Sequence, residues 1–253
     1  MSLEPLSDSQ VPHPAPRARI DPSQRIVALL EVIICSDFPT QLVLGATFYA
    51  FGFQQERPDG TLNLAFIAVL SLVDAVVLIG LIVFFLRAHG ESPRALLIGR
   101  RSIGEEARLG LPLSFAALAI AFAAILLIQQ FAPWLRTEDK NPLQDLLATP
   151  RGAAVMAVVL VVAGGIREEV QRAFLLRRFE QWLGGPVVGV IVASIGFGAG
   201  HIIQGADVAV VTGLLGMFWA VIYLRRRSIV GPVVSHSGFN LLQLAQFLIA
   251  GRS

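Results

Sequence analysis

Apolar residues run along this chain in long blocks. Leu64–Leu86 and Leu109–Leu127 are each close to the roughly 20 residues that about 30 Å of hydrocarbon demands, and they predict two spanning helices. Four further blocks, Gly152–Arg177, Pro186–Ile203, Val208–Leu224 and Ile229–Ala250, predict four more. Ile26–Phe53 is apolar but carries Glu31, Asp37 and Pro39, so a seventh span there is expected to be kinked or partly interfacial. Asp74, inside the first long block, reads as a hydrogen-bonded interior residue. Residues 1–24 hold five prolines among Ser, Gln and Arg. With no apolar core ahead of a small-residue cleavage site, they read as a disordered tail rather than a signal peptide. The expected architecture is therefore all-α: a tail over 1–24 and, over 25–253, a polytopic transmembrane bundle of about seven spanning helices.

Composition supports this reading. Hydrophobic residues make up 55% of the chain and charged residues 15%, with a mean hydropathy of +0.68, too apolar for a soluble domain of this size. The net charge of +2 comes from mixed signs rather than a basic patch, which gives no footprint for nucleic acid. The single cysteine, Cys35, has no partner for an internal disulfide and reads as a small core residue. If seven spans alternate, thirteen arginines (Arg17, Arg19, Arg25, Arg87, Arg94, Arg100, Arg101, Arg108, Arg177, Arg178 and Arg225 to Arg227) fall on one side. Five basic residues (Arg57, Arg136, Lys140, Arg151 and Arg252) fall on the other. Cytoplasmic loops carry the excess, so the N-terminus is expected inside, in what would be a bacterial inner membrane.

The chemistry concentrates late in the chain. In Gly164–Glu180, two carboxylates and several arginines follow a run otherwise fit for a lipid or core interior. A charge at mid-membrane depth costs roughly 2.5–3.5 kcal/mol even on the gentlest scales, which marks Glu168, Glu169 and Arg172 as a candidate site. Two more polar sets interrupt later blocks: Phe197-Gly-Ala-Gly-His201 and His236-Ser-Gly-Phe-Asn240. Positions four apart share a helix face, so His236 and Asn240 point the same way and Phe197 lies beside His201. Gly196, Gly198 and Gly200 surround His201 with small residues that let helix backbones approach. A lone intramembrane histidine is more often structural than catalytic; three such sets on successive spans favour one shared site, in a cavity formed by the last four spans.

The order of an acidic pair with a following Arg, then Phe-x-x-x-His, then His-x-x-x-Asn, each on its own late membrane helix, resembles the CPBP intramembrane protease family. That family includes the CAAX prenyl endopeptidases and the bacterial Abi-type proteins. The resemblance covers roughly Gly152–Phe247, within a protease-like core of about 152–250. It implies an endopeptidase acting on a membrane-associated or lipidated peptide, a membrane peptide or lipoprotein, within the lipid bilayer. A Glu would activate a water, His201 would assist, and His236 with Asn240 would stabilise the oxyanion. The family is also described as metalloproteases, so a zinc ion held by Glu168, His201 and His236 is the alternative to a glutamate-dependent mechanism.

One feature departs from the family pattern. The family's first motif has three residues between its second Glu and its Arg, whereas only Val170 and Gln171 separate Glu169 from Arg172. Counting back from Arg172 puts Arg167 in the first Glu position and leaves Glu168 as the partner of Arg172. Counting forward makes Glu168 the base and lets Glu169 pair with Arg172 at i, i+3. Successive residues turn by about 100°, which favours the second register and leaves Arg167 as an extra cation beside the base. The irregular motif also keeps open a different class: a non-catalytic membrane binding or immunity protein that retains the protease cavity.

Overall fold

The computed structural model describes residues 22–138 and 141–250; most of the expected tail, with Arg17, Arg19, Lys140 and Arg252, lies outside them. Helices α1 (Pro22–Ile34) and α2 (Phe38–Ala50) are followed by α3 (Leu64–Ala88), a short α4 (Pro93–Leu97) and α5 (Ile103–Phe131). After two 3-10 turns come α6 (Pro150–Val161), a π-helical segment (Val162–Arg167) and α7 (Glu168–Gln181), then α8 (Pro186–Ala199), α9 (Ala206–Arg226) and α10 (Val230–Ala250). The described residues contain no β-strand, only one isolated bridge between Glu56 and Leu62. The protein is an all-helical membrane bundle.

The helix starts follow local chemistry. Asn63 accepts from the amides of Ala65 and Phe66 at the head of α3, and Thr149 accepts from Gly152 with Pro150 in the first turn of α6. Both satisfy amides that a helix N-terminus leaves unpaired. On α3, Asp74, Leu78, Ile82 and Leu86 are buried four apart and form the inward face. On α5 the buried residues beyond Glu106 are small, namely Gly110, Ser114, Ala117, Ala121 and Ala124, and this stripe lets α10 press close. A Cβ on Gly110 would lie 2.6 Å from the Val234 side chain. The residues turned outward are large and apolar, Phe84, Phe115, Phe122 and Ile195 among them, as a lipid-facing surface requires.

Fewer than the expected seven spans qualify by helix length and apolarity alone. Four helices, α3, α5, α9 and α10, are long and apolar enough to cross a membrane, or five spans if α1 and α2, bent 45° at their junction, count as one. The bend falls where Asp37 takes φ 81°, a conformation costly for a non-glycine residue, just ahead of Pro39. The expected fourth span is the run α6–π–α7, whose last part is too charged to pass as a lipid-facing helix. The expected fifth is shorter than supposed: α8 has 14 residues, about 21 Å at 1.5 Å per residue. His201 consequently sits in the tight turn beyond α8 rather than in a helix.

Of the three glycines around His201, only Gly198 mediates close approach. A Cβ there would lie 2.6 Å from the Ala209 carbonyl of α9, whereas Gly196 faces open space and Gly200 only its own turn. Cys35 is fully buried, and its carbonyl accepts from Gln171 Nε2 at 2.9 Å. Asp74 is fully buried and accepts from Arg167 at 3.1 Å, the interior role expected of it.

Candidate active site

The site is built around the continuous run α6–π–α7. A π-turn shifts backbone bonding from i+4 to i+5 and widens the helix locally; here it immediately precedes Glu168 and Glu169. Gly164 and Gly165 lie in this segment because α10 passes against it. A Cβ on Gly164 would lie 2.8 Å from Asn240 Nδ2, and one on Gly165 would collide with Ser237 Oγ.

Four of the six residues singled out from the sequence border one cavity. It measures about 440 Å³, and its walls include Glu168, His201, His236 and Asn240 together with apolar side chains such as Leu118, Met156 and Val159. The other two, Glu169 and Arg172, sit behind that wall. Arg172 pairs with Glu169, the i, i+3 partnership of the second register, and both are buried.

The imidazole contacts fix which ring nitrogen is engaged. His201 Nδ1 lies 2.9 Å from the Phe197 carbonyl. A carbonyl only accepts, so Nδ1 carries the hydrogen and a neutral His201 keeps its lone pair on Nε2. His236 Nδ1 lies 2.9 Å from Glu169 Oε1, and its Nε2 lies 3.7 Å from Glu168 Oε2. The last turn of α6 also engages Asn240, whose Nδ2 donates to the Leu160 carbonyl at 3.2 Å. One of the two amide hydrogens is thereby committed and the other remains.

Three residues here, Trp219, Gln243 and Gln246, were not singled out from the sequence. Trp219 of α9, fully buried, stacks on the His236 ring with centroids 3.7 Å apart and donates to Ser235 Oγ at 3.1 Å. The Arg172 guanidinium lies over the Phe197 ring at 4.8 Å. Gln243 and Gln246 line the cavity at i+7 and i+10 from His236, a helical spacing the sequence does display. Trp219 carries no such signal, because its contact depends on how α9 and α10 pack.

A zinc ion would need Glu168, His201 and His236 within about 2.0–2.2 Å of one point. Among the described residues no three His, Cys, Asp or Glu side chains are grouped as a metal would require.

Fold and site together define a helical integral membrane protein with an acid, two imidazoles and an amide around a largely apolar cavity. Residues 150–242 match the family described as type II CAAX prenyl endopeptidase Rce1-like, in agreement with the CPBP resemblance of the sequence. All six candidate residues lie within the matched stretch, while α1 to α5 lie outside it. No curated protein and no solved structure gives a significant match.

Proposed function

We propose that the protein is an intramembrane endopeptidase that hydrolyses a peptide bond of a membrane-associated or lipidated peptide by a glutamate-dependent mechanism. The observation that carries this reading is the placement of Glu168, His201, His236 and Asn240 around a single cavity of about 440 Å³. Its apolar walls suit a substrate that arrives from the bilayer.

In this mechanism a water lies between Glu168 Oε2 and His201 Nε2, the two acceptors that face the cavity, and Glu168 takes its proton as the oxygen attacks the scissile carbonyl. Glu168 then returns that proton to the leaving amine. The free Asn240 hydrogen and His236 Nε2 stabilise the oxyanion. With its Nδ1 side held by Glu169, His236 turns Nε2 towards the oxyanion. Glu169 and Arg172 position His236. The N-terminus is assigned to the cytoplasm on the arginine distribution.

The test is cleavage of a lipidated peptide by the purified protein in lipid nanodiscs. Glu168→Gln and His201→Ala should each lower turnover by orders of magnitude, while a chelator should leave it unchanged. Full activity in both variants would remove the assignment, and loss on chelation with recovery on zinc would replace the glutamate-dependent mechanism by a metal-dependent one.

A further inference from the structure

The break in the first span reaches the proposed base through one buried cation. Asp37, at the junction of α1 and α2, and Asp74, in α3, both meet Nη1 of Arg167, Asp74 Oδ2 at 3.1 Å. Arg167 Nη2 donates to Glu168 Oε1 at 3.2 Å, and its Nε donates to the Ala163 carbonyl at 3.4 Å. The guanidinium is buried and Asp74 fully so. Asp37 and Asp74 both lie outside the matched residues 150–242.

An arginine beside a single carboxylate tends to engage both of its oxygens in a two-pronged pair. Such a pair would leave Glu168 nothing to offer a water. Here two further carboxylates draw the guanidinium from the opposite side. Only Oε1 of Glu168 is engaged, and Oε2 is left on the side of His236.

We propose that Arg167, held from behind by Asp37 and Asp74, is a positioning residue that pins Glu168 by Oε1 and presents Oε2 to the cavity. The proposal rests on the peptidase reading above. The charged groups around Glu168 are Arg167, Glu169 and Arg172 on its own helical run, Asp37 and Asp74 from the first two spans, His236 from α10 and His201 from the turn after α8.

The experiment uses the full chain in nanodiscs, comparing wild type, Arg167→Gln and the double variant Arg167→Gln/Asp74→Asn. Arg167→Gln alone leaves two buried carboxylates without their cation and should lower both thermal stability and kcat. The double variant removes one carboxylate with the cation and should recover most of the stability. Its kcat should stay roughly tenfold to a hundredfold down, with KM within about twofold of wild type, because the loss is of base geometry rather than substrate binding. Recovery of kcat along with stability would make the cluster merely structural and overturn the inference.

If the wild type cleaves no peptide, the peptidase reading fails by itself. The inference is then decided by the infrared carboxylate stretches of Glu168, identified by their absence in Glu168→Gln. A changed splitting between the asymmetric and symmetric bands in the double variant upholds it, and an unchanged splitting overturns it.

Discussion

Two buried charge clusters in this protein are alike in composition and opposite in outcome. At one end of α7, Arg178 pairs with Glu31 at 2.5 Å and with Glu91, while His89 takes the other oxygen of Glu31 at 2.6 Å and Arg177 the other oxygen of Glu91 at 2.8 Å. All four carboxylate oxygens have partners. The recess beside them, about 150 Å³ and lined by Glu31, His89 and Arg178, meets no carboxylate with an oxygen to spare. At the other end of α7, Glu168 has one oxygen on Arg167 and the other only within 3.7 Å of a ring nitrogen, beside a cavity nearly three times larger. Burial of charge is common to both clusters. A carboxylate oxygen left free towards a space is what distinguishes the proposed reactive site from the structural lock.

The largest expected effects break this contrast from either side. Glu168→Gln should reduce cleavage by about 10³-fold, within the range general bases contribute, while the unfolding temperature stays close to wild type. Arg178→Gln should do the reverse. It leaves Glu31 and Glu91 without their shared cation and should destabilise the protein by about 3–5 kcal/mol, read by denaturant unfolding, while molecules that remain folded keep their turnover. If Arg178→Gln abolished turnover in folded protein, the two clusters would not be separable. A smaller effect is expected from Gly165→Ala, whose methyl meets Ser237 Oγ. Forcing α10 from the π-segment should cost about 1–3 kcal/mol and lower turnover as well, since Asn240 and His236 move with α10. Gly196→Ala, where a Cβ meets nothing within 4 Å, is the control and should behave as wild type.

How much of this was legible in the sequence depends on what each feature rests on. The long spans were legible because length and apolarity alone define them: Leu64–Leu86 became Leu64–Ala88, and Ile229–Ala250 became Val230–Ala250. The pairing of Glu169 with Arg172 was legible because it lies within one helix. The 14-residue α8 was not, because its block stays apolar to Ile203 while the helix stops at Ala199. The π-segment was not, since its widening is set by α10 packing on Gly164 and Gly165. The partners of Arg167 were not, because Asp37 and Asp74 lie 130 and 93 positions away. Trp219 was hidden for the same reason, whereas Gln243 and Gln246 stood at readable spacing from His236.

The smallest expected effect sharpens the contrast at the structural end, through pH. Glu91, in the loop after α3, is partly buried, which alone would raise its pKa. Hydrogen bonds and charge from Arg178 and then Arg177 outweigh that and hold it below the usual carboxylate range. A carboxyl lowered on folding contributes stability that is fully present above its unfolded pKa and is lost as pH falls through the folded one. Unfolding temperature should therefore be flat in Glu91 terms from neutral pH down to the ordinary carboxylate range, then decline below it. Glu91→Gln should lower stability at neutral pH and flatten that acid decline, with the two proteins converging at the lowest pH. Cleavage at neutral pH should be unaffected, because none of the four oxygens in this cluster reaches the large cavity. Parallel acid declines in wild type and Glu91→Gln would mean that Glu91 adds nothing to the lock and that Glu31 alone holds Arg178.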